Sequence, residues 1–570
     1  MRKQTTTFAP VIIIKEIKIN MAQELKHFFT HINHTMQNYW DLPGFSDFGE
    51  NVNYTFGQIA TQVARLHVLY EACGVKQGDK IAFCGVNSSN WGISFLSTMA
   101  YGAVGVSILS DFTGADIEKL VNHSEAKFLL VGPIVATKIN PANMPNVRAI
   151  IAIKDFTLFS AQQSKYQKAF DQWDELFAKK YPNGFTKNDV HYKDDNIDDL
   201  ALINYTSGTT SDPKGVMLSY RSLSSNCQYG LDNLPGGPGK AIVSILPLAH
   251  MFGMMFEFIY QVAGGTHVYF IPKLTVPTLL KALKECHPYQ ILTVPLLIEK
   301  IYKAKLQATV NKPIIKFLWN FPGIGRLIKN KVRDGLLAAF GGQLRTLIIG
   351  GAALNPEVEK CLMDVKFPLL VGYGMTETGP LLGYVPWQEF VPRSCGRCVD
   401  RMQIRIDSDD QQHIVGEIQV KGDNVMIGYY KNEEATKNIF TPDGWLRTGD
   451  LGIVDANGNI FIRGRSKNML LGPSGQNIYP EEIEAKVNSL PYVIESVVIS
   501  RDDKIVALVF PDHEAFVKSG ETRTMEQLME ENRQLVNHDL PTYSAISRII
   551  LVDHEFEKTP KRSIKRFLYT

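Results

Sequence analysis

The sequence contains few cysteines, no long apolar run and almost no net charge. Its seven cysteines among 570 residues are too few for a disulfide-stabilised scaffold. Cys395 and Cys398 form a lone CxxC pair, and a structural zinc site would need two more ligands at suitable spacing. No stretch reaches the roughly 18 uninterrupted apolar residues that a membrane-spanning helix requires. We therefore expect a protein of the reducing cytoplasm.

Positive and negative residues are balanced along the chain. Lysine and arginine together number 60 against 58 for aspartate and glutamate, which gives a net charge of +2. This balance provides no global attraction to nucleic acid, so we expect no nucleic-acid partner. Hydrophobic residues make up 45% and charged residues 21% of the chain, as in ordinary globular proteins.

The chain is long enough for more than one hydrophobic core, since single cores stop growing near roughly 250–300 residues. From about Thr55, short β-rich apolar runs alternate with helical patterns, which predicts an α/β fold with extensive parallel sheets. Asn457-Gly458 between two strand-like runs predicts a hairpin, and a small α+β unit follows it. We predict a disordered extension over 1–20, a large domain over 21–464 and a small domain over 465–570.

The segment YTSGTTSDPKG at 205–215 follows a predicted strand and precedes a helix that begins near Ser219. Backbone N–H groups and short hydroxyls can follow the oxygens of a polyphosphate, so the segment predicts a phosphate-binding loop. A P-loop is disfavoured because Pro213 and Gly215 stand at two of its defining positions. A polar surface loop is the remaining alternative. The residues expected to contact phosphate are Thr206, Ser207, Gly208, Thr209, Thr210 and Lys214.

This loop resembles the signature of the adenylate-forming superfamily, which includes acyl-CoA synthetases, luciferase-like enzymes and peptide-synthetase adenylation domains. The usual signature has glycine where Ser211 stands. The likeness extends from about Thr55 to the end and includes further motifs in the same order, which are GGAAL (350–354), GYGMTETGP (372–380), GWLRTGD (444–450), FIRGRSKNMLL (461–471) and SGQNIYPEEIE (474–484). It implies a large N-terminal domain of α/β subdomains and a small mobile C-terminal domain. It also implies the use of ATP, Mg²⁺ and coenzyme A.

The resemblance implies roles for individual residues of these motifs. Tyr373, beside Gly374, would stack on adenine, and the base pocket would be lined by Gly350, Gly351 and Ala352. Thr376 would bind the α-phosphate, and Glu377 would hold Mg²⁺, a hard cation that prefers carboxylate and phosphate oxygens. Asp450 would accept hydrogen bonds from the ribose hydroxyls, Arg465 would contact the ribose, and Lys467 would be the hinge of the small domain. The alternatives are a core aromatic for Tyr373 and an ordinary Gly-Asp turn at a strand end for Asp450.

Two further segments bear on the acid substrate. The run LPLAHMFGMMFEFIYQVAGGTHVYF (246–270) resembles the segment that lines the acyl tunnel, with the pocket residues His250, Met251, Phe252 and Gly253. A methionine-rich wall adapts to flexible apolar chains, and the alternative is a plain core helix. Residues 316–345 look most like the long-chain fatty acyl branch. Their mixture of basic and apolar residues is also typical of an amphipathic helix or a membrane-surface contact.

The C-terminal segment departs from the family pattern. Long-chain members have roughly T-P-x-x-K-x-K-R, in which a lysine bridges the acid and the phosphate during adenylation. Here Ser563 stands at that lysine's position, with Lys561 and Lys565 two residues away on either side. Either lysine could supply the cation, or both could belong to a solvated basic tail.

Together these features predict an ATP-dependent ligase that activates a fatty acid as an acyl-adenylate and transfers the acyl group to coenzyme A. One alternative is an acyl-carrier-protein ligase, in which the acceptor is a protein-bound thiol. Another is a catalytically impaired protein that binds nucleotide or acyl-adenylate, an alternative motivated by Ser563. Because fatty acids partition into bilayers, we also expect a peripheral membrane contact.

Overall fold

Strands and helices alternate along most of the chain in the computed structural model, which describes residues 24–206, 213–307, 310, 312–471, 476–502, 504–559 and 564–569. The strands of the first half are β1 (Pro43–Asp47), β2 (Val52–Thr55), β3 (Lys80–Cys84), β4 (Val104–Ile108), β5 (Phe128–Val131), β6 (Ala149–Ala152), β7 (Leu158–Ala161), β8 (Leu200–Thr206), β9 (Lys214–Ser219), β10 (Ala241–Ser244), β11 (His267–Phe270) and β12 (Gln290–Thr293). Those of the second half are β13 (Thr346–Ile349), β14 (Leu369–Val371), β15 (Tyr373–Gly374), β16 (Leu381–Tyr384), β17 (Arg397–Cys398), β18 (Met402–Asp407), β19 (Gly416–Gly422), β20 (Gly428–Tyr429), β21 (Leu446–Val454), β22 (Ile460–Arg465), β23 (Leu470–Leu471), β24 (Asn477–Ile478), β25 (Val493–Arg501), β26 (Lys504–Pro511) and β27 (Ile546–Leu551).

The helices are α1 (Phe28–Asn38), α2 (Phe56–Ala72), α3 (Ser89–Ala100), α4 (Gly114–Ser124), α5 (Pro133–Ala136), α6 (Ser164–Asp171), α7 (Trp173–Lys180), α8 (Tyr220–Asn233), α9 (Met251–Gly253), α10 (Tyr260–Ala263), α11 (Val276–Cys286), α12 (Pro295–Tyr302), α13 (Pro313–Trp319), α14 (Ile324–Ala339), α15 (Pro356–Asp364), α16 (Glu433–Ile439), α17 (Pro480–Val487), α18 (His513–Ser519) and α19 (Met525–His538). A π-helical turn, Met254–Ile259, joins α9 to α10. Within the described ranges, no helix combines the length and the apolar composition needed to cross a bilayer.

Two large sheets have parallel centres, and each has at least one antiparallel edge strand. One has the order β20-β9-β8-β4-β3-β5-β6-β7, and the other has the order β14-β13-β12-β10-β11-β1-β2. Strands β8, β4, β3, β5 and β6 are parallel to one another, whereas β7, β9 and β20 pair in antiparallel fashion. The strand β9 was not predicted, because its run of alternating residues is short and directly precedes the helix α8.

Two of the smaller sheets of the described chain contain the predicted hairpin and the C-terminal strands. Strands β18, β19, β21 and β22 form an antiparallel sheet, and the predicted hairpin at Asn457-Gly458 is confirmed, since β21 and β22 pair around it and Gly458 has φ of +83°. Near the C-terminus, β25 pairs with β26 in antiparallel fashion and β26 with β27 in parallel fashion.

The apolar core is divided in the same way as the sheets. One continuous cluster of buried side chains extends from Phe28 to Ile460. Two others pack on opposite faces of the β25-β26-β27 sheet, one around Val498 and the other around Val497, as the alternation of side chains along a strand requires. The sequence positions of these clusters are compatible with the predicted boundary at 464/465, which stays a prediction.

Candidate functional site

The two ends of the predicted phosphate loop lie side by side. Thr206 ends β8 and Lys214 begins β9, and the two residues are cross-strand partners. The Thr206 hydroxyl donates to the Lys214 carbonyl at 3.4 Å. Ser207, Gly208, Thr209 and Thr210 lie outside the described residues. The flanks of the loop therefore present one hydroxyl and one lysine at the same sheet edge.

A tyrosine connects Lys214 to Glu377. The Lys214 Nζ atom lies 4.8 Å from the ring centroid of Tyr429, a cation–π distance. The Tyr429 hydroxyl donates to Glu377 Oε1 at 2.9 Å, and burial together with the Glu377 carboxylate raises the pKa of Tyr429. Glu377 Oε2 accepts no hydrogen bond from the described part of the chain. The predicted catalytic lysine and the predicted metal ligand thus share one neighbour, which the sequence analysis missed.

A tight turn positions Glu377. Thr376 is buried and begins a single 3₁₀ turn, Thr376–Thr378. The Thr378 hydroxyl donates to the Pro380 carbonyl at 2.7 Å, and the Asn226 side chain donates to the Thr378 carbonyl at 3.1 Å. A Cβ atom on Gly374 would lie 2.2 Å from the Pro380 carbonyl oxygen, so glycine is required there. The backbone on both sides of Thr376 and Glu377 is therefore fixed.

Asp450 is held between two partners. It pairs across the sheet with Arg465, whose Nε atom lies 2.6 Å from Asp450 Oδ1. The Tyr373 hydroxyl donates to Asp450 Oδ2 at 2.7 Å. Burial raises the pKa of Asp450, while Arg465 and Tyr373 counteract this effect. Each carboxylate oxygen keeps a further lone pair that could accept another hydrogen bond.

The placement of these residues differs from the sequence expectation in two details. Asp450 lies inside β21 (Leu446–Val454) rather than at a strand end, because the strand continues beyond Gly449, which has φ of +71° where the pairing register with β19 shifts. Tyr373 is only 6% exposed, and its hydroxyl donates a hydrogen bond to Asp450. Stacking of Tyr373 on adenine stays a prediction.

The predicted base pocket and the predicted acyl segment are in contact. Gly350 follows β13, and a Cβ atom there would lie 2.9 Å from the Phe252 ring. Gly351 is exposed and has φ of +85°, which favours glycine. Ala352 is also exposed. The ring of Phe252 therefore lies directly against the first glycine of the GGAAL motif.

The remaining acyl-segment residues begin a short helix. His250 is its N-cap, and His250 Nδ1 accepts from the Phe252 N–H at 3.3 Å. Met251 and Gly253 are buried, and a Cβ atom on Gly253 would lie 2.8 Å from the Pro247 carbonyl oxygen. The π-helical turn then follows, a feature that is frequent at functional sites.

Glu257 lies in this π-helical turn and is fully buried. Its Oε2 atom accepts from the Ser244 hydroxyl and from the N–H groups of Ile245 and Leu246, each at 3.0 Å. Burial raises the pKa of Glu257 to about 8. Glu257 was not among the residues predicted from the sequence, although a single acid within the apolar run MMFEFIY was a visible signal.

Lys467 lies on the 3₁₀ turn Ser466–Asn468 directly after β22. Partial burial and the neighbouring Arg465 lower the pKa of Lys467, and Lys214 contributes in the same direction. The predicted hinge residue therefore lies close to Arg465 of the Asp450 cluster. Asn468 donates to Glu481 Oε1 at 2.5 Å and so ties this turn to α17.

Of the two C-terminal lysines, Lys565 is described, and its ion pair lies outside this cluster. Lys565 Nζ lies 3.3 Å from Glu557 Oε2, within the small C-terminal sheet region. The adjacent Arg566 pairs with Glu484 of α17. Lys561 and Ser563 lie outside the described residues. The role of either lysine in adenylation stays a prediction.

Comparisons with known proteins agree over nearly the whole chain. The family described as AMP-binding enzyme matches residues 32–430, and the one described as AMP-binding enzyme C-terminal domain matches residues 468–569. Long chain acyl-CoA synthetase 5 of Arabidopsis thaliana is 28% identical over 509 residues, which cover 81% of this chain and 74% of that protein. 4-Coumarate–CoA ligase 1 of Petroselinum crispum is 26% identical over 534 residues, covering 90% of this chain and 88% of that protein.

Solved structures have the same fold. The anthranilate CoA ligase AuaEII in complex with anthranoyl-AMP has a TM-score of 0.76 at 19% identity, covering 96% of this chain and 97% of that chain. At this identity the likeness concerns the fold alone. It confirms the predicted α/β fold with a large N-terminal and a smaller C-terminal domain.

Proposed function

The chain belongs to the AMP-binding enzyme family, and from this premise we propose that it activates a fatty acid with ATP and transfers the acyl group to coenzyme A. The predicted resemblance to the adenylate-forming superfamily is thereby confirmed. The proposal rests on two clusters of side chains that are each held together by direct contacts. They are Lys214–Tyr429–Glu377 and Tyr373–Asp450–Arg465. One offers a cation and a carboxylate for phosphates, and the other offers oxygen acceptors for a ribose.

In the first half-reaction, a carboxylate oxygen of the acid attacks the α-phosphorus of ATP. The bond from this phosphorus to the bridging oxygen breaks, and pyrophosphate leaves. The barrier is mainly charge repulsion and positioning, so fixed cations and hydroxyls contribute most of the catalysis. Lys214 would offset the phosphate charge, and Thr376 would donate a hydrogen bond to the α-phosphate.

In the second half-reaction, the thiol sulfur of coenzyme A attacks the acyl carbonyl carbon. The bond from this carbon to the adenylate oxygen breaks, AMP leaves, and the thiol proton passes to solvent. A rotation of the small domain about Lys467 would exchange the groups that face the adenylate between the two steps. The position of Lys467 on the turn directly after Arg465, the partner of Asp450, supports a place for this residue near the active site.

The donor set fits a magnesium ion held jointly by protein and substrate. Glu377 has one carboxylate oxygen bound by Tyr429 and the other unbonded among the described residues. Magnesium is usually bound by one or two carboxylates together with substrate phosphates rather than by an all-protein cage. When bound, the ion would neutralise charge on the phosphates.

The choice of a fatty acid rests on the acyl segment. Met251, Met254, Met255 and Phe256 of this segment are buried in the core against which Phe252 packs, and we propose that they provide an apolar and adaptable wall for the acid. Relatives of this chain include both a long chain acyl-CoA synthetase and a 4-coumarate–CoA ligase. An apolar wall favours the flexible acid over the aromatic one.

The test is acid-dependent exchange of labelled pyrophosphate into MgATP, with straight-chain acids of increasing length and with 4-coumarate. We expect exchange to be fastest with a straight-chain acid, and we expect AMP formation and thiol consumption once coenzyme A is added. Glu377→Gln should reduce exchange about 100-fold, whereas Glu434→Gln, on the exposed surface of α16, should leave it unchanged. Formation of ADP and phosphate would contradict the proposal, and so would turnover with no acid. AMP formation with holo-acyl carrier protein in place of coenzyme A tests the alternative that the acceptor is a protein-bound thiol.

A second experiment concerns the lysine that the C-terminal pattern lacks. We propose that Lys561 or Lys565 supplies the cation that Ser563 cannot. Exchange should fall in Lys561→Ala or in Lys565→Ala, while the transfer of the acyl group from a preformed adenylate should persist. Lys518→Ala, an exposed lysine of the same domain paired with Glu514, is the control. Full exchange activity in both variants would show that neither lysine acts in adenylation.

A further inference from the structure

Helices α13 and α14 form a hairpin with large apolar side chains on its outside. Phe317 is 71% exposed, Leu327 is 69% exposed and Ile314 is 66% exposed, and Phe321 and Ile324 of the same hairpin are about half exposed. The rings of Phe317 and Phe321 are neighbours, with centroids 6.3 Å apart. We call these five residues the hairpin patch. Contiguous exposed apolar surface of this kind marks an interaction site in a soluble domain.

The hairpin patch is not a core face that has been turned outward, because the hairpin has a separate inner face. Trp319 is buried, and its indole N–H donates to Asp364 Oδ2 at 3.2 Å. Leu336 is buried, and Ile328 and Val332 pack against the main core. The fold therefore uses one apolar side of α14 and leaves the other without a partner in the described part of the chain.

The charged residues of the hairpin segment that carries the patch are almost all basic. Between positions 312 and 333 the chain has no aspartate or glutamate, and its basic residues there are Lys312, Lys316, Arg326, Lys329, Lys331 and Arg333. Arg333 is paired with Asp334. Since the whole chain has nearly equal numbers of basic and acidic residues, this excess is local. An apolar surface bordered by lysine and arginine is complementary to a bilayer that contains anionic lipid.

The hairpin lies next to the wall of the candidate site. A small apolar cavity between α12 and α14 is lined by residues of both helices, among them Ile298, Tyr302 and Leu336. Helix α12 begins directly after Val294, whose side chain lies 4.0 Å from the position of a Cβ atom on Gly351. One helix, α12, therefore borders both the hairpin and the GGAAL motif.

We propose that the hairpin patch docks this protein onto the surface of an anionic lipid bilayer. Phe317, Leu327 and their neighbours enter the interface, and the surrounding lysines and arginines contact the lipid headgroups. The purpose of docking rests on the proposed function, because a fatty acid is stored in the bilayer and α12 connects the docked face to the site. The docking itself depends only on the surface.

The test is co-sedimentation of the full-length chain with vesicles of phosphatidylcholine alone or with one quarter phosphatidylglycerol. We expect binding to the anionic vesicles that weakens at high salt. Phe317→Ser combined with Leu327→Ser should lower the partition coefficient at least about tenfold, and Lys312→Glu combined with Lys316→Glu should do the same. The matched control for the apolar pair is Val517→Ser with Leu535→Ser, two residues near the C-terminus that are 76% and 60% exposed. The matched control for the basic pair is Lys179→Glu with Lys187→Glu, two exposed lysines outside the hairpin.

Several results would overturn the docking proposal. These are the absence of binding to either vesicle, equal losses in patch and control variants, and a doubled solution mass that the patch variants abolish. The last result would make a second copy the occupant. Pyrophosphate exchange with octanoate, which is soluble in water, separates this proposal from the proposed function. Patch variants should keep that exchange. A chain that binds vesicles but exchanges with no acid would leave docking supported and the proposed function contradicted.

Discussion

Two carboxylates lie inside the large α/β region, and their surroundings differ in one respect. Asp450 is 3% exposed and Glu257 is 0% exposed. Asp450 contacts the guanidinium of Arg465 and the hydroxyl of Tyr373. Glu257 has only neutral donors, a hydroxyl and two backbone N–H groups. Burial raises the pKa of both carboxyl groups, and the effect is counteracted at Asp450 by a charged partner but at Glu257 by neutral donors alone.

The difference separates a group suited to ligand binding from a group that responds to pH. Asp450 has a cationic partner whose side chain is about half exposed, so a ligand can approach the pair. Glu257 is enclosed in the acyl segment and has its pKa raised to about 8 by burial. We therefore expect substitution of Asp450 to alter catalysis, and substitution of Glu257 to alter stability.

The largest expected effect is the pH dependence that Glu257 imposes on stability. Burial raises its pKa from the ordinary 4.5 to about 8 in the folded chain, so between these values the folded state keeps a proton that the unfolded state has released. The resulting stabilisation is complete below about pH 4.5 and is lost as the pH rises through about 8, with a slope of about 1.4 kcal/mol per pH unit. Glu257→Gln has nearly the same shape and cannot ionise, so it should remove this slope.

Thermal unfolding midpoints of the wild type and Glu257→Gln between pH 5 and pH 9 provide the measurement. As the pH rises, the unfolding temperature of the wild type should fall relative to that of Glu257→Gln. Glu514→Gln, at an exposed carboxylate paired with Lys518, is the control and should run parallel to the wild type. Parallel curves for Glu257→Gln as well would show that Glu257 ionises normally in the fold.

The next largest effect is expected at Asp450, the carboxylate that is paired with an arginine. Asp450→Ala should lower acid-dependent pyrophosphate exchange about 100-fold, because Arg465 and the buried Tyr373 hydroxyl both lose their acceptor. The loss is limited by the exposure of Arg465, which water can partly solvate. Exchange rates at saturating ATP and acid provide the measurement, with the unfolding midpoint as a check on folding.

A second ion pair in the same region supplies the control. An Arg405 guanidinium nitrogen lies 2.6 Å from Asp443 Oδ2, and both side chains are solvent-accessible. Asp443→Ala should therefore change the exchange rate less than twofold. Asp450→Asn keeps the size of the side chain and tests whether the charge itself is needed. Equal activity in Asp450→Ala and the wild type would remove Asp450 from the candidate site.

A smaller effect is expected from the hydroxyl that links Tyr373 to Asp450. Tyr373→Phe removes one hydrogen bond to a carboxylate, a bond worth about 1.5–3 kcal/mol, and should lower exchange about tenfold through kcat/KM for ATP. Tyr384→Phe changes a buried tyrosine of the neighbouring β16, whose hydroxyl makes no hydrogen bond within the described ranges, and should have no effect. If Tyr373 acted only by stacking on adenine, Tyr373→Phe would retain full activity.

The contacts behind these predictions show where sequence reasoning succeeds and where it stops. The alternation of short apolar runs and helices predicted the parallel sheets, because burial on both faces of a strand leaves a continuous apolar run. The Asn457-Gly458 hairpin followed from local backbone preference alone. Both features are encoded within a few neighbouring residues.

The site contacts are not local and have no such pattern. Tyr373 and Asp450 are 77 positions apart in the chain, and Tyr429 and Lys214, which are in contact, are separated even further along the sequence. The resemblance to a family named most of these residues but did not show that Tyr429 joins Lys214 to Glu377. Glu257 was visible as a single acid in an apolar run. The sequence did not show that the Ser244 hydroxyl and two backbone N–H groups would donate hydrogen bonds to its carboxylate.

The smallest expected effect comes from Ser244, one of the donors to Glu257. Ser244→Ala removes a hydrogen bond of 3.0 Å to Glu257 Oε2 and leaves Asn87, which also contacts Ser244, with a second acceptor in the Leu246 carbonyl. A hydrogen bond to an ionised carboxylate is worth about twice one to a neutral acid, so the loss of stability should be about 1 kcal/mol at pH 6 and about 2 kcal/mol at pH 9. Unfolding midpoints at the two pH values measure this difference. In the Glu257→Gln background the cost of Ser244→Ala should be the same at both pH values, and a cost that still grew with pH there would assign the effect to another group.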